Sequence, residues 1–356
     1  MPKGKVMFIS NLIKVGGCLL IFANVHPLLA YAIVGFGAAV YSPAKYGILT
    51  ELLPAEKLVA ANGWVEGLTV MSIIFGTVMG GALVGHRVSS FLLDFDLPLI
   101  DTGITTPTQS ALCVVVGIYI LAAIFNTRIP DTGCRYGHQE RNPIKLVTDF
   151  ANCYSLLWKD KLGQISLAVT TLFWGAAQTL QFIVLEWANR TLKLSYEQAT
   201  SLVGVVAIGV AAGAVISARS ITLRKSLTVI PVGIAMGVIV MGMTMVHSVA
   251  LAYPLLVLVG LLGGFFLVPM NALLQHRGHV LMSAGHSIAV QNFNENLSIL
   301  VMLAAYSLML RGHLNLDIII LIFGLFLAGT MFIIMRKHNS NQREFDSVSL
   351  IGEAKH

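Results

Sequence analysis

Apolar stretches, each near 20 residues long and set apart by short polar turns, recur about ten times along this chain. They fall near 6–23, 28–44, 60–84, 109–126, 162–185, 198–217, 227–246, 250–273, 284–309 and 316–335. In hydrocarbon a segment of this length satisfies its backbone polar groups only as a helix. The pattern therefore predicts an all-α integral membrane protein with about ten spans.

The longest polar interruption is 127–161, which holds six Lys or Arg together with Pro130, Gly133 and Pro143. It separates a first half, 1–126, with four spans from a second half, 162–336, with six, and a polar tail follows at 337–356. The halves carry a repeat. Gly37 and Pro43 match Gly263 and Pro269 at an offset of 226, and Asn62 and Glu66 match Gln291 and Glu295 at an offset of 229. Each copy is an apolar segment with a late proline, a short basic loop, and a second apolar segment bearing an amide and a carboxylate four residues apart. Repeats of this size between membrane halves are a building principle of secondary transporters. At the same offset the spans at 162–185 and 198–217 fall before residue 1. The four-plus-six arrangement thus reads as helices three to six and seven to twelve of a twelve-helix design.

Composition agrees. Hydrophobic residues make up 56% of the chain and charged residues 11%, against roughly a quarter charged in a soluble protein. The formal charge of +6 is no nucleic-acid signal, because its placement follows the membrane. With the N-terminus in the cytoplasm and sides alternating, 18 Lys or Arg lie inside, Arg87, Arg190, Lys193 and Arg311 lie outside, and Lys14 lies within a span. That asymmetry is a positive-inside pattern with both termini cytoplasmic. The outward loop 85–108 carries Asp94, Asp96 and Asp101. Cys18, Cys113, Cys134 and Cys153 show no metal or redox spacing, so no metal or cofactor is expected. Histidines His276, His279 and His286 gather where a solvated loop is expected.

Polar groups inside spans are costly and face a cavity or one another. Asn62 with Glu66, and Gln291 with Glu295, sit at i and i+4 on one helical face. They can bind a cation such as an ammonium group, or hold helix ends by hydrogen bonds. Lys14 is placed either to anchor a phosphate or to snorkel to the interface. Lys45, following Pro43, is expected at a helix end. Gln178 and Gln181 share a face near Trp174 and are expected to point into the bundle. Asn271 and Gln275 follow Pro269 and are expected to cap its helix, which the proline opens. Gly76 and Gly80 read as a small-residue packing face.

Several stretches resemble one family closely. They are Tyr41-Ser-Pro-Ala-Lys-Tyr-Gly-Ile-Leu49, Lys57-Leu-Val-Ala-Ala-Asn-Gly63, Leu172-Phe-Trp-Gly-Ala176, Gly264-Phe-Phe-Leu-Val-Pro-Met-Asn-Ala-Leu-Leu-Gln275 and Ser287-Ile-Ala-Val-Gln-Asn-Phe-Asn-Glu295. Their wording is similar to that of the bacterial lysophospholipid transporters of the major facilitator superfamily, over nearly the whole chain. The resemblance implies a major-facilitator-type helical bundle in the bacterial inner membrane. It implies movement of lysophosphatidylethanolamine and lysophosphatidylglycerol from the outer to the inner leaflet. It also implies a functional link to a cytoplasmic acyltransferase/acyl-carrier-protein synthetase that re-acylates them. Family members can carry a basic residue on the seventh helix where this chain has Gln181. A facilitator for another hydrophobic substrate or drug, and a non-transporting remnant, remain open as alternatives. An acyltransferase is disfavoured, since no His-x-x-x-x-Asp arrangement and no nucleophile with a paired base occurs in the chain.

Overall fold

The computed structural model describes residues 2–93, 106–134 and 142–351. Among these, twelve α-helices follow one another: α1 (Lys3–Phe22), α2 (Pro27–Leu52), α3 (Leu58–Val84), α4 (His86–Leu93), α5 (Pro107–Asn126), α6 (Pro143–Lys159), α7 (Gly163–Arg190), α8 (Tyr196–Ser220), α9 (Ile230–Met241), α10 (Val249–Leu281), α11 (Ala284–Arg311) and α12 (Leu316–Glu344). Ten of them, all but α4 and α6, belong to segments long and apolar enough to cross a membrane. Each expected span has its helix. Asp94, Asp96 and Asp101 lie outside the described residues.

The helices form two compact units, Met1–Leu52 with Ser72–Gly137, and Leu53–Met71 with His138–His356. In the first, α1 packs on α2 and α5. A Cβ on Gly37 would lie 2.9 Å from the Ser10 carbonyl oxygen, so glycine sets that approach. In the second, α8 packs on α10, α9 on α12, and α7 on α11 and α10. The neighbours α1–α2 and α1–α5 match α9–α10 and α9–α12, as the sequence repeat leads one to expect.

The α8–α10 pair is the tightest case. Gly209 and Gly213 lie against the carbonyl oxygens of Val257 and Leu261, while Gly260 and Gly264 lie against those of Val206 and Val210. A Cβ on any of the four would collide with backbone, so both helices need glycine every fourth residue for this approach. Lipid tails are as apolar as leucine, so close packing rather than hydrophobic burial drives such pairs together. The anticipated Gly76–Gly80 face behaves otherwise: among the described residues, a Cβ there would meet nothing within 4 Å.

Two expectations about proline are corrected. Pro43 lies inside α2, and Pro269 lies inside α10. Neither opens its helix, because the missing N–H removes one bond while the following turns still pair. Lys45 is accordingly a helix-interior residue rather than a terminal one. Asn271 and Gln275 are interior too, and their amides bond to other helices instead of capping α10.

The polar stretch before α7 contains a further helix. The Asn142 side chain caps α6 by accepting from the Ile144 N–H at 3.0 Å, and Pro143 occupies the first turn. Leu157 of α6 is fully buried with Leu167, Leu274 and Val290, and Phe150, Cys153, Tyr154 and Trp158 pack around them. Phe150 and Tyr154 each meet the Phe293 ring edge-on, at 5.5 and 6.4 Å between centroids. This amphipathic face ties α6 to α7, α10 and α11.

Candidate functional site

The second unit holds a cluster of amides and carboxylates contributed by α3, α10 and α11. Asn62 and Gln275 form a reciprocal amide pair. Asn62 Nδ2 donates to Gln275 Oε1 at 2.9 Å, and Gln275 Nε2 donates to Asn62 Oδ1 at 2.8 Å. Both residues are only 2% exposed. Asn62 reaches α10 because Gly63, beside it, lets α3 lie close to α8, with 2.9 Å from a hypothetical Cβ to the Ala214 oxygen. One turn further along α3, Glu66 is buried.

On α11, Gln291 Nε2 donates to Asn271 Oδ1 at 3.0 Å and to Glu295 Oε1 at 2.7 Å. Glu295 is half-buried and within electrostatic reach of Glu66. The carboxylates of the repeat pairs Asn62–Glu66 and Gln291–Glu295 therefore lie within electrostatic reach of one another. The α10 amides Gln275 and Asn271 each engage one of them. Two carboxylates so placed suit a small cation or an ammonium group.

Below this cluster α10 ends in an ion pair. Arg277 Nη2 donates to Asp160 Oδ2 at 2.8 Å and its Nε to Oδ1 at 3.2 Å. The same Asp160 Oδ1 accepts from the N–H groups of Leu162 and Gly163 at 3.2 and 2.7 Å. Asp160 thus caps α7 while holding α10, and both side chains are nearly fully buried. His276 is also buried, at 5% exposure within α10, and not the solvated loop residue expected. Nothing in the local sequence pairs Asp160 with Arg277, 117 residues away.

Gln178 and Gln181 lie on α7, the first half-buried and the second exposed. Gln181 is therefore not sealed inside the helix packing of its own unit.

In the first unit, Lys14 stands in the middle of α1. Its Nζ donates to Asn11 Oδ1 at 3.3 Å and lies 4.4 Å from the Tyr41 ring centroid and 5.4 Å from that of Tyr119. Lys45 of α2 is within electrostatic reach of Lys14 and lies 4.9 Å over the Tyr46 ring. Sequence reading found both lysines but not the tyrosines around them. Aromatic residues are common in spans, and only the α1–α2–α5 packing shows which ones meet the cation. At the end of α2, Glu51 takes Lys3 Nζ at 2.5 Å and the Thr132 hydroxyl at 2.7 Å.

Among the described residues no group of three or more His, Cys, Asp or Glu is placed to hold a metal. Burial and the nearby Asp149 push the Cys153 thiol up, away from its reactive thiolate form.

The sequence model described as Major Facilitator Superfamily matches residues 1–303. The lysophospholipid transporter LplT of Yersinia pestis (strain Pestoides F) is 40% identical over 310 residues, covering 87% of this chain and 71% of that protein. Among solved structures, an outward-facing bacterial homologue of the iron transporter ferroportin has a TM-score of 0.67 at 13% identity, covering 96% of this chain and 84% of that one. The E. coli fucose:proton symporter FucP also reaches 0.67, at 12% identity, with 94% and 84% covered. At such low identity these two structures speak for the fold alone.

Proposed function

Because this chain belongs to the major facilitator superfamily, we propose that it is a secondary transporter of lysophospholipids. It moves them from the outer to the inner leaflet of the bacterial inner membrane, with both termini in the cytoplasm. There a cytoplasmic acyltransferase/acyl-carrier-protein synthetase re-acylates them. The observation that carries this reading is the 40% identity to a lysophospholipid transporter over 87% of the chain.

The geometry supports the same reading. A lysophospholipid has one acyl chain, which stays in hydrocarbon, and one small polar head, which needs partners inside the membrane. Few charges with several half-buried polar side chains suit that substrate better than a sugar, whose hydroxyls need a hydrogen-bond partner on every side. Glu66 and Glu295, with Asn62, Asn271, Gln275 and Gln291 around them, offer a site for the ammonium of an ethanolamine head. Lys14 and Lys45 offer positive charge to a phosphate. Gln178 and Gln181 supply amides on α7, and Gln181 can donate hydrogen bonds to a phosphate without neutralising it.

The test is uptake of labelled lysophosphatidylethanolamine into spheroplasts that lack their own uptake system and express this chain. Saturable uptake above the vector control is the expected result. Background-level uptake with the chain present in the membrane, together with transport of a different amphiphile, would overturn the substrate assignment and leave the family standing.

A further inference from the structure

Lys14 is a cation in the middle of a membrane-spanning helix. A charge in that position needs compensation, and the common solution is a carboxylate. Lys14 has another solution. Among the described residues its partners are the Asn11 amide oxygen and the faces of Tyr41 and Tyr119, from α2 and α5. Ring faces stabilise a cation through their quadrupoles. They carry no charge, however, and therefore leave the full +1 of the ammonium available. Lys45, which acts electrostatically on Lys14, has the same sign and adds to the local positive potential. Asn11 is buried, while Lys14, Lys45, Tyr41 and Tyr119 are half-buried, so the ammonium is held in place without being sealed off.

We propose that Lys14, cradled by Tyr41 and Tyr119, is a subsite for the phosphate of the transported lipid. The two tyrosines are positioning residues that hold the ammonium and keep it aimed. Their faces act and not their hydroxyls. The subsite rests on the lysophospholipid reading and assigns it a chemical specificity: it takes any single-chain lipid with a phosphate diester, whatever the alcohol beyond it.

The experiment measures lipid binding to the purified full chain in detergent, by ligand-induced shift of thermal unfolding, alongside uptake in spheroplasts. The probes are lysophosphatidylethanolamine, lysophosphatidylglycerol and a monoacylglycerol of equal chain length, which lacks phosphate. Loss of one charge-assisted contact predicts that Lys14→Gln weakens binding of both phospholipids by about tenfold and leaves monoacylglycerol binding unchanged. Lys14→Arg retains most of the affinity. Tyr41→Phe and Tyr119→Phe stay close to the parent, while Tyr41→Leu and Tyr119→Leu fall toward Lys14→Gln. Equal phospholipid binding by the parent and Lys14→Gln overturns the subsite while leaving the transport reading intact. A parent chain that binds monoacylglycerol as tightly as the phospholipids overturns both. Loss of affinity in the Phe variants comparable to that in the Leu variants overturns the role given to the ring faces.

Discussion

At the scale of single residues, the amide pair of Asn62 and Gln275 allows a clean test of what holds α3 to α10. Both partners are buried, so removing one strands the other. Asn62→Leu should cost about 1–3 kcal/mol, whereas Asn62→Leu with Gln275→Leu should be nearly neutral, because no polar group is left unsatisfied. Thermal unfolding of the two single variants and the double variant in detergent measures this. A double variant as unstable as the sum of the singles would mean the amides act separately. The carboxylates belong to the proposed head-group site instead. Glu66→Gln and Glu295→Gln keep size and hydrogen bonding but remove charge, and each should lower lysophosphatidylethanolamine uptake about tenfold, as loss of one charged contact implies. Normal uptake by both at equal protein level would assign them to packing. The sequence repeat exposed Glu66 and Glu295 because both sit in the same local pattern. It could not show that Gln275 answers Asn62 or that Asp160 answers Arg277, since those partners are 213 and 117 residues apart.

Among elements, all ten spanning helices were legible, because one property, an unbroken apolar run, both marks the sequence and forces the helix. The two helices that went unread, α4 and α6, are short or amphipathic and carry no such run. Glycine was harder to interpret. Gly76–Gly80, Gly209–Gly213 and Gly260–Gly264 share one spacing, but only the last two face another backbone, so the motif alone cannot choose. Substitution separates them. Gly213→Leu or Gly264→Leu drives a side chain into a facing carbonyl and should destabilise the bundle by about 1–3 kcal/mol or more. Gly80→Leu enters open space and should be silent. The fraction of each variant that remains monodisperse after detergent extraction reads this directly. Equal losses at Gly80 and Gly264 would mean that spacing, not contact, is what counts.

For the whole molecule, orientation is the property that local packing leaves open and charge decides. Of the 23 Lys and Arg, 18 fall on one side under an alternating assignment and four on the other, with Lys14 within a span. Basic residues close to span ends are retained in the cytoplasm during insertion, so the proposed orientation has the turn between α11 and α12 outside and the 127–161 stretch inside. The chain carries its own inner reporter in Cys134, which is exposed in that stretch. The other three cysteines are weak competitors: Cys18 is buried, and Cys113 and Cys153 are half-buried. His313 supplies the outer position. It is exposed in the turn after α11, with φ at 56°. In intact spheroplasts a membrane-impermeant maleimide should leave the parent chain unlabelled and should label His313→Cys. After permeabilisation the parent should label at Cys134. Labelling of the parent from outside, with the double variant Cys134→Ser, His313→Cys reacting only after permeabilisation, would invert the topology. It would also reverse the leaflet to which the transporter delivers its lipid. Because one extra or missing span would flip only the segments that follow it, reaction of both positions from the same side would place the error in the span count between Cys134 and His313.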